Sequence, residues 1–230
     1  MKISELSLSL KSSWIFPYLL AFKEFLRGQR TIDFTQFGEQ EIIASLVPEK
    51  GGSYLDIGAG RPVSGNNTFF LYKKGWSGVL VDPIKANTIS SRHVRRRDTC
   101  INALVSTFEK ITFFEFFPYE FSTTRDSIAK KVSEEIPFAK LVGQYDVIGV
   151  SAASLFQKLP QSHFVFLNID TEGSDYEVLI SLDLAVNKPD LICIEEWDFK
   201  GSSVTISGEL LSRHGYTLVA RAGLSSFYMK

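Results

Sequence analysis

The sequence is poor in the residues that metal centres, disulfide frameworks and nucleic-acid surfaces need. Its 230 residues hold two cysteines and three histidines, and 25 Lys plus Arg oppose 26 Asp plus Glu. Cys100 and Cys193 lie in apolar runs typical of buried strands, which predicts reduced core thiols. The formal net charge of −1 leaves no basic field that could hold nucleic acid. We therefore expect a cytoplasmic protein whose partners are small molecules or other proteins.

Long apolar segments and targeting signals are also missing. The apolar run Trp14–Phe22 is much shorter than the roughly 20 residues of a membrane-spanning helix, and Pro17 interrupts it. No basic segment followed by a small-residue cleavage site is present, so no secretion signal is predicted. We expect an N-terminal helical extension over residues 1–33, packed on the domain or on a partner rather than attached to a membrane, and one domain over residues 34–230.

Apolar strands and helices alternate along the domain. Strands are predicted at residues 53–57, 78–81, 101–106, 111–117, 163–169, 190–195, 216–221 and 225–228, and helices at 37–46, 67–74, 128–142, 175–184 and 204–214. This alternation predicts an α/β fold with a mostly parallel sheet and helices on both faces. Ligands of such sheets bind at the carboxyl ends of the strands.

The loop that ends the first strand, YLDIGAGRP, has the composition of a ligand-binding turn. Gly58 and Gly60 let the backbone turn sharply and approach a ligand. A dinucleotide site would place another glycine or alanine at position 63, so that a helix begins there and points its N-terminus at a pyrophosphate. Val63 follows Pro62 instead, and the next helix is predicted only from about Asn67. The loop therefore favours a nucleoside ligand without a pyrophosphate.

An acid at the end of the second strand supports that interpretation. Asp82 follows the glycine loop at about the 20-residue offset where a carboxylate reaches the ribose hydroxyls in such folds. Asp and Pro are also common turn residues, so Asp82 and Pro83 alone would fit a plain strand end. The glycine loop and the acid together, in one βαβ spacing, favour the nucleoside site.

Several motifs in consistent order resemble one family. LDIGAGRPVSGNNTFFLYKKGWSGVLVDP, INALVS, LNIDTEGSDYEVLISLDL, PDLICIEE and HGYTLVARAGLSSFYMK resemble the FkbM family of S-adenosylmethionine-dependent methyltransferases, as does the upstream TQFGEQEII. The resemblance covers about residues 34–230. It implies a Rossmann-like class I methyltransferase fold with an antiparallel C-terminal strand, and methylation of hydroxyl groups on sugars or polyketide-like molecules. The acceptor is thus expected to be a small molecule or a glycan.

The resemblance also assigns the contacts of the cofactor, S-adenosylmethionine. The implied contacts follow the first three strands: Asp56, Gly58, Ala59 and Gly60 at the methionine half, Asp82 with Pro83 at the ribose, and Asn102 with Ala103 at the adenine. Gln36 and Glu39 match a recurring pattern, and either help to close the cofactor pocket or are solvated helix residues.

The acids that follow the predicted strand HFVFLNI are candidates for catalysis. Methyl transfer to a hydroxyl is an in-line attack that needs an aligned acceptor and a group that takes its proton. Ser174 and Glu177 have the spacing of a capping box and are expected to begin the next helix. Asp170 and Glu172 remain as the base or as groups that orient the acceptor, and Glu195, at the next strand end, joins them as a catalytic candidate.

The same strand ends raise the question of a metal. Asp170, Glu195 and Glu196 could bind Mg²⁺ and lower the pKa of an acceptor hydroxyl. Three acids without fixed ligand spacing are not a metal signature, so we favour carboxylates that contact acceptor hydroxyls or water, with no metal bound.

The remaining clusters carry weaker signals, and two other functions stay open. The three histidines pair with no nucleophile, and Arg92 with Arg95–Arg97 is expected to be a solvated basic face. The aromatic run Phe113–Phe121 exceeds what one strand face can bury, which predicts rings that line an acceptor cleft or a homodimer contact. An NAD-dependent oxidoreductase would share the strand, the glycine loop and the acid, and a catalytically silent nucleoside-binding protein could retain the whole scaffold.

Overall fold

The computed structural model describes residues 13–196 and 205–230, in which strands and helices alternate. The strands are β1 (Gly52–Ile57), β2 (Ser77–Asp82), β3 (Thr99–Asn102), β4 (Leu104–Val105), β5 (Lys110–Phe117), β6 (Lys140–Val150), β7 (Phe164–Ile169), β8 (Leu191–Glu195), β9 (Thr217–Ala222) and β10 (Ser225–Met229). The helices are α1 (Phe16–Arg30), α2 (Glu39–Leu46), α3 (Phe69–Lys73), α4 (Lys85–Val94), α5 (Asp126–Glu135), α6 (Ala152–Phe156), α7 (Asp175–Ser181) and α8 (Ile206–Arg213), with a 3₁₀ turn at Tyr119–Phe121. The predicted start of the last helix, Val204, lies outside the described residues.

Seven strands form the main sheet, in the order β3-β2-β1-β7-β8-β10-β9. The first five are parallel, and β10 runs antiparallel to β8 and β9. Alternate residues of a strand point to opposite faces, and both faces of this sheet are buried. Leu55 and Ile57 pack on the side of Leu179 and Leu211, whereas Tyr54 packs on the side of α2 and α3. The expected Rossmann-like class I methyltransferase fold, with its antiparallel C-terminal strand, is confirmed.

A second, three-stranded sheet in the order β4-β6-β5 corrects two predictions. The strand predicted at residues 101–106 is two short strands, because the chain leaves the main sheet at Ala103 and β4 pairs with β6. The helix predicted at residues 128–142 ends at Glu135, and Lys140–Val150 is the strand β6, antiparallel to β5. Pro137 disfavours helical geometry at the residue before it, which explains the early end.

Helix α1 packs on the domain through one face. Leu20 and Ala21 are buried, and Gly28 lies so close to the ring of Phe69 that an added Cβ would come within 3.0 Å of it. The Glu24 carboxylate accepts hydrogen bonds from the backbone N–H and the hydroxyl of Ser64, at 2.8 and 2.9 Å. The expected packing on the domain is confirmed for this face, while a domain boundary at residue 33 stays a prediction. No helix within residues 13–196 and 205–230 combines the length and apolarity that a membrane crossing needs.

Candidate active site

A cleft of about 940 Å³ opens at the carboxyl ends of β1, β2 and β7. One side consists of the glycine loop, the end of β2 and the acids after β7. The second sheet and the 3₁₀ turn supply the other side, where Phe113 and Tyr119 line the cleft. A cavity of this size, with apolar walls and a few converging polar groups, is typical of small-molecule sites.

Asp82 lies in the cleft at the end of β2, beside Pro83. Its carboxylate accepts the backbone N–H groups of Ile84 at 2.7 Å and Gly60 at 2.8 Å, and the Asn87 amide at 3.3 Å. Burial raises the pKa of Asp82 to about 7, against the opposing effect of these donors. The buried Asn87 Oδ1 also borders the cleft and has no hydrogen-bond partner among the described residues. Both side chains therefore offer acceptor atoms that fit the hydroxyl and amino groups of a nucleoside.

The glycine loop is held against both neighbouring strands. The N–H groups of Gly58 and Ala59 donate to the Val81 carbonyl at 2.9 and 3.1 Å. Gly58 has φ +79°, and a Cβ at this position would lie 1.6 Å from the backbone oxygen of Asp170. Only glycine fits such an approach, so the turn that carries the expected cofactor contacts is fixed to the backbone of a catalytic candidate.

The chain after the loop confirms that no helix begins at position 63. Val63 is fully buried and joins the core cluster that contains Phe69. Helix α3 begins only at Phe69 and has five residues. The cleft therefore lacks a helix N-terminus directly after the glycines, which is the feature a pyrophosphate needs.

The structure places Asp56 away from the cleft lining. Its carboxylate is fully buried and accepts hydrogen bonds from the Thr68 hydroxyl at 2.6 Å and the Asn168 amide at 2.9 Å. Arg95 reaches the same network through Thr68 and pairs with Asp98 at 2.7 Å, so this arginine is not part of a solvated face. Asp56 thus supports the loop that precedes α3 and is not among the residues that line the cleft.

Only one of the two residues assigned to the adenine lines the cleft. The Asn102 amide donates to the backbone oxygens of Asp82 and Pro83 at 2.9 and 2.8 Å, which stabilises the turn after β2. Ala103 is buried and lines the cleft, whereas Asn102 does not. The adenine contact therefore stays a prediction for Ala103, and the position of Asn102 indicates a supporting role.

Acids converge where β7 and β8 end. One carboxylate oxygen each of Asp170, Asp175 and Glu195 lies within 4.8 Å of the other two. Burial, and next the charge of Glu195, hold the pKa of Asp170 well above its ordinary value. Glu172 borders the cleft, and partial burial together with the carboxylates of Glu195, Glu120 and Asp175 raises its pKa to about 8. A carboxyl group with a pKa in this range is a suitable acceptor of a hydroxyl proton.

Glu196 is not part of this acid cluster. It is buried beside the hydroxyls of Thr205 and Tyr228, the latter at 3.2 Å. Successive strand residues point to opposite faces, which separates Glu196 from Glu195. Asp175 takes the place that the sequence suggested for Glu196 in an oxygen-rich cluster.

The capping box predicted for α7 is wrong. The Ser174 side chain makes no capping hydrogen bond, and Glu177 pairs with Arg125 at 2.7 Å instead. Asp175 accepts the backbone N–H groups of Thr171 at 2.7 Å and Gly173 at 3.0 Å, so it holds the turn after β7. Asp175, the first residue of α7, thus provides the acceptor for the backbone N–H groups of the turn that precedes the helix.

Part of the cleft wall was not foreseen from the sequence. Arg61 lies over the Tyr119 ring at 5.8 Å, and Arg125 faces the same cleft beside Ser122, Thr123 and Thr124. Of the two residues predicted to close the pocket or to be solvated, Gln36 borders the cleft. Glu39 is buried, and its carboxylate accepts the Phe37 N–H at 2.7 Å. The sequence signal that could have identified this wall is the high density of Ser, Thr and aromatic residues after β5.

The expectations for the remaining polar and aromatic residues are largely confirmed. Both cysteines are buried free thiols, and all three histidines are exposed and lie outside the cleft. In the aromatic run, Phe114 and Phe116 pack on α5, whereas Phe113 and Tyr119 line the cleft. The run therefore divides between a local core and a ligand-facing wall.

The raised pKa values predict an unusual dependence of stability on pH. Asp82, Asp170, Asp175 and Asp56 all bind protons more readily in the folded protein than in the unfolded chain. Stability must therefore fall as pH rises from about 4 through about 7, because the native state holds more protons in that interval. We expect the ligand-free protein to melt about 3 °C or more higher at about pH 6 than at about pH 8.

Thermal melts at the two pH values, for the natural protein and for Asp82→Asn, measure this dependence. The variant lacks one of the shifted groups and should show a smaller difference. A melting temperature that rises between the two pH values would contradict the raised pKa values.

Comparison with known proteins identifies the family of the chain. The family profile described as Methyltransferase FkbM domain matches residues 56–218. A solved structure of a TehB-like SAM-dependent methyltransferase from Corynebacterium glutamicum aligns over 93% of this chain and 97% of its own, with a TM-score of 0.45 and 12% sequence identity. No curated protein matches the chain in sequence. The family match spans more than half of the chain and includes the ends of β1, β2 and β7, so the chain belongs to the FkbM family of methyltransferases.

Proposed function

We propose that this methyltransferase transfers the methyl group of S-adenosylmethionine to a hydroxyl of a carbohydrate or a related natural product. The observation that carries the proposal is the position of Asp170 and Glu172. Both acids border the same cleft as the glycine loop and Asp82. A proton acceptor thus lies beside the expected cofactor site, which O-methylation requires and simple nucleoside binding does not.

The cofactor half of the cleft has a defined set of contacts. Bound S-adenosylmethionine would supply an electrophilic methyl group on a positively charged sulfur. Gly58, Ala59 and Gly60 would hold its methionine half, the Asp82 carboxylate its ribose hydroxyls, and Ala103 its adenine. The partnerless Asn87 oxygen adds a hydrogen-bond acceptor to this half of the cleft.

The acceptor half combines rings with charged groups. Phe113 and Tyr119 provide apolar faces, and Arg61 and Glu120 provide hydrogen-bonding groups at the same wall. Sugars present both apolar faces and hydroxyls, so this mixture suits them. Asp170 would take the proton of the attacking hydroxyl while the walls hold the acceptor in line.

The two alternatives predict different ligands or no turnover. The buried Val63 and the delayed start of α3 oppose an NAD-dependent oxidoreductase, because no helix begins directly after the glycine loop to meet a pyrophosphate. A silent binding protein would need no proton acceptor in the cleft.

The buried free thiols also support the expected cytoplasmic location.

Calorimetric titration tests the cofactor. We expect S-adenosylhomocysteine to bind and NAD not to bind, because the cleft offers the proposed ribose and adenine contacts but no helix begins directly after the glycine loop to hold a pyrophosphate. Asp82→Ala should weaken the binding by about tenfold to a hundredfold, the value of charged hydrogen bonds to two hydroxyls. Asp146→Ala removes an exposed acid on β6, outside the cleft, and should leave the affinity unchanged. Binding of NAD alone would overturn the cofactor assignment.

Turnover tests the acceptor class and the metal. Radiolabelled S-adenosylmethionine would be incubated with a panel of glycans, glycosides and hydroxylated polyketides, and methylated products would be isolated. We propose that no metal takes part, so EDTA should leave the rate unchanged and added Mg²⁺ should not raise it. A protein that binds the cofactor but methylates no member of a broad panel would favour the silent binding protein.

A further inference from the structure

Helix α1 has a second apolar face that residues 13–196 and 205–230 leave exposed. Opposite the packed face, large apolar side chains remain exposed: Ile15, Tyr18, Leu19, Phe22, Phe25 and Leu26, preceded by Trp14. Phe22 is 64% exposed and Trp14 79%. Positions 15, 18, 19, 22 and 26 follow helical spacing, so these side chains form one continuous stripe. A contiguous exposed patch of this kind marks an interaction surface.

Cations border the stripe along one edge. Lys23, Arg27 and Arg30 are exposed and are spaced at i, i+4 and i+7, which places them on one line of the helix surface. Within Phe16–Arg30 the only acid is Glu24, and it is buried against Ser64. The exposed surface of α1 therefore combines apolar and aromatic side chains with charged side chains that are all cationic.

We propose that α1 binds the surface of a membrane that contains anionic lipids, lying in the plane of the interface. The aromatic stripe would enter the boundary between headgroups and acyl chains, where Trp and Tyr are favoured, and the basic edge would contact lipid phosphates. The cytoplasmic leaflet carries such anionic lipids. This surface attachment requires no spanning helix.

The charge distribution argues against a second copy of the chain as the occupant. Pairing through the same stripe would bring Lys23, Arg27 and Arg30 of both copies into one interface. The α1 surface offers no exposed acid to pair with them. Like charges at an interface oppose association, whereas an anionic membrane neutralises them.

Vesicle flotation of the full chain tests the proposal. We expect binding to phosphatidylcholine vesicles that contain phosphatidylglycerol, weaker binding to pure phosphatidylcholine, and release at high salt. Replacing Lys23, Arg27 and Arg30 together by glutamine should weaken binding to the anionic vesicles by about a hundredfold, at roughly fivefold per cation. Phe22→Ser should weaken binding to both vesicle types.

Ile148→Ser is the matched control, since this apolar side chain on β6 is 62% exposed but lies outside α1. Its binding should equal that of the natural chain. Melting temperature and S-adenosylhomocysteine binding show whether each variant folds. The proposal is overturned by absence of vesicle binding, by equal binding to both vesicle types, or by light scattering that detects a dimer which Phe22→Ser dissociates.

Discussion

Replacing Asp170 by asparagine is expected to lower kcat for methyl transfer by about 10²–10⁴-fold, with less than about a tenfold change in S-adenosylhomocysteine affinity. Asparagine keeps the size of the side chain but cannot take a proton from a hydroxyl. Because the backbone of Asp170, not its carboxylate, lies against Gly58, the glycine loop should keep its shape. Steady-state kinetics with calorimetry measure both quantities.

Two controls separate proton transfer from general damage to the cleft. Asp146→Asn changes an exposed acid on β6 and should leave kcat unchanged. Glu172→Gln tests the second candidate, and a loss of kcat there with a fully active Asp170→Asn would transfer the role of base to Glu172. Full activity of both variants would remove the acids after β7 from the chemistry.

The pH profile gives an independent readout of the same role. A general base works only when it is deprotonated, so kcat/KM should rise with pH. Among charged neighbours, Glu195 contributes most to the raised pKa of Asp170. Glu195→Gln removes that charge and should therefore move the rise in activity to lower pH. A shift to higher pH would contradict the assigned electrostatics.

The position of the glycine loop and Asp82 at one edge of the sheet could be predicted because its signals are local in sequence. Gly58 and Gly60 end one strand and Asp82 ends the next, and parallel strands bring their carboxyl ends to one edge of the sheet. The signal for the late start of the next helix was also local, since Val63 stands where a phosphate-binding loop needs a glycine or alanine. These features need no knowledge of distant contacts.

The second sheet and the contacts of several polar side chains depend on residues distant in sequence, and these were missed. β6 pairs with β4 and β5, but Gly143, Tyr145 and the exposed Leu141 break the simple alternation that identifies a strand. Glu177 fits the capping pattern, yet Arg125, distant in sequence, offers a charged partner. Asp56 illustrates the same limit, because its neighbours Thr68 and Asn168 become visible only in the folded chain.

Gly58→Ala is expected to lower the free energy of unfolding by about 3 kcal/mol or more and to abolish detectable binding of S-adenosylhomocysteine. The new methyl group would need the space that the Asp170 carbonyl occupies, so β1 and β7 would have to separate at their carboxyl ends. That movement would displace the Gly58 and Ala59 N–H groups from Val81. Urea unfolding and calorimetry test the two effects.

Gly75→Ala supplies the matched control for backbone strain. Gly75 has φ +94°, similar to the +79° of Gly58, but an added Cβ there would meet no atom within 4 Å. Gly75→Ala should lower the free energy of unfolding by only about 1 kcal/mol and leave cofactor binding intact. The difference between the two variants therefore measures the contact with Asp170 rather than the positive φ. If both variants lose the same stability and both still bind the cofactor, the glycine loop is not fixed to the strand end that carries the base, and the geometric link between cofactor and acceptor chemistry fails.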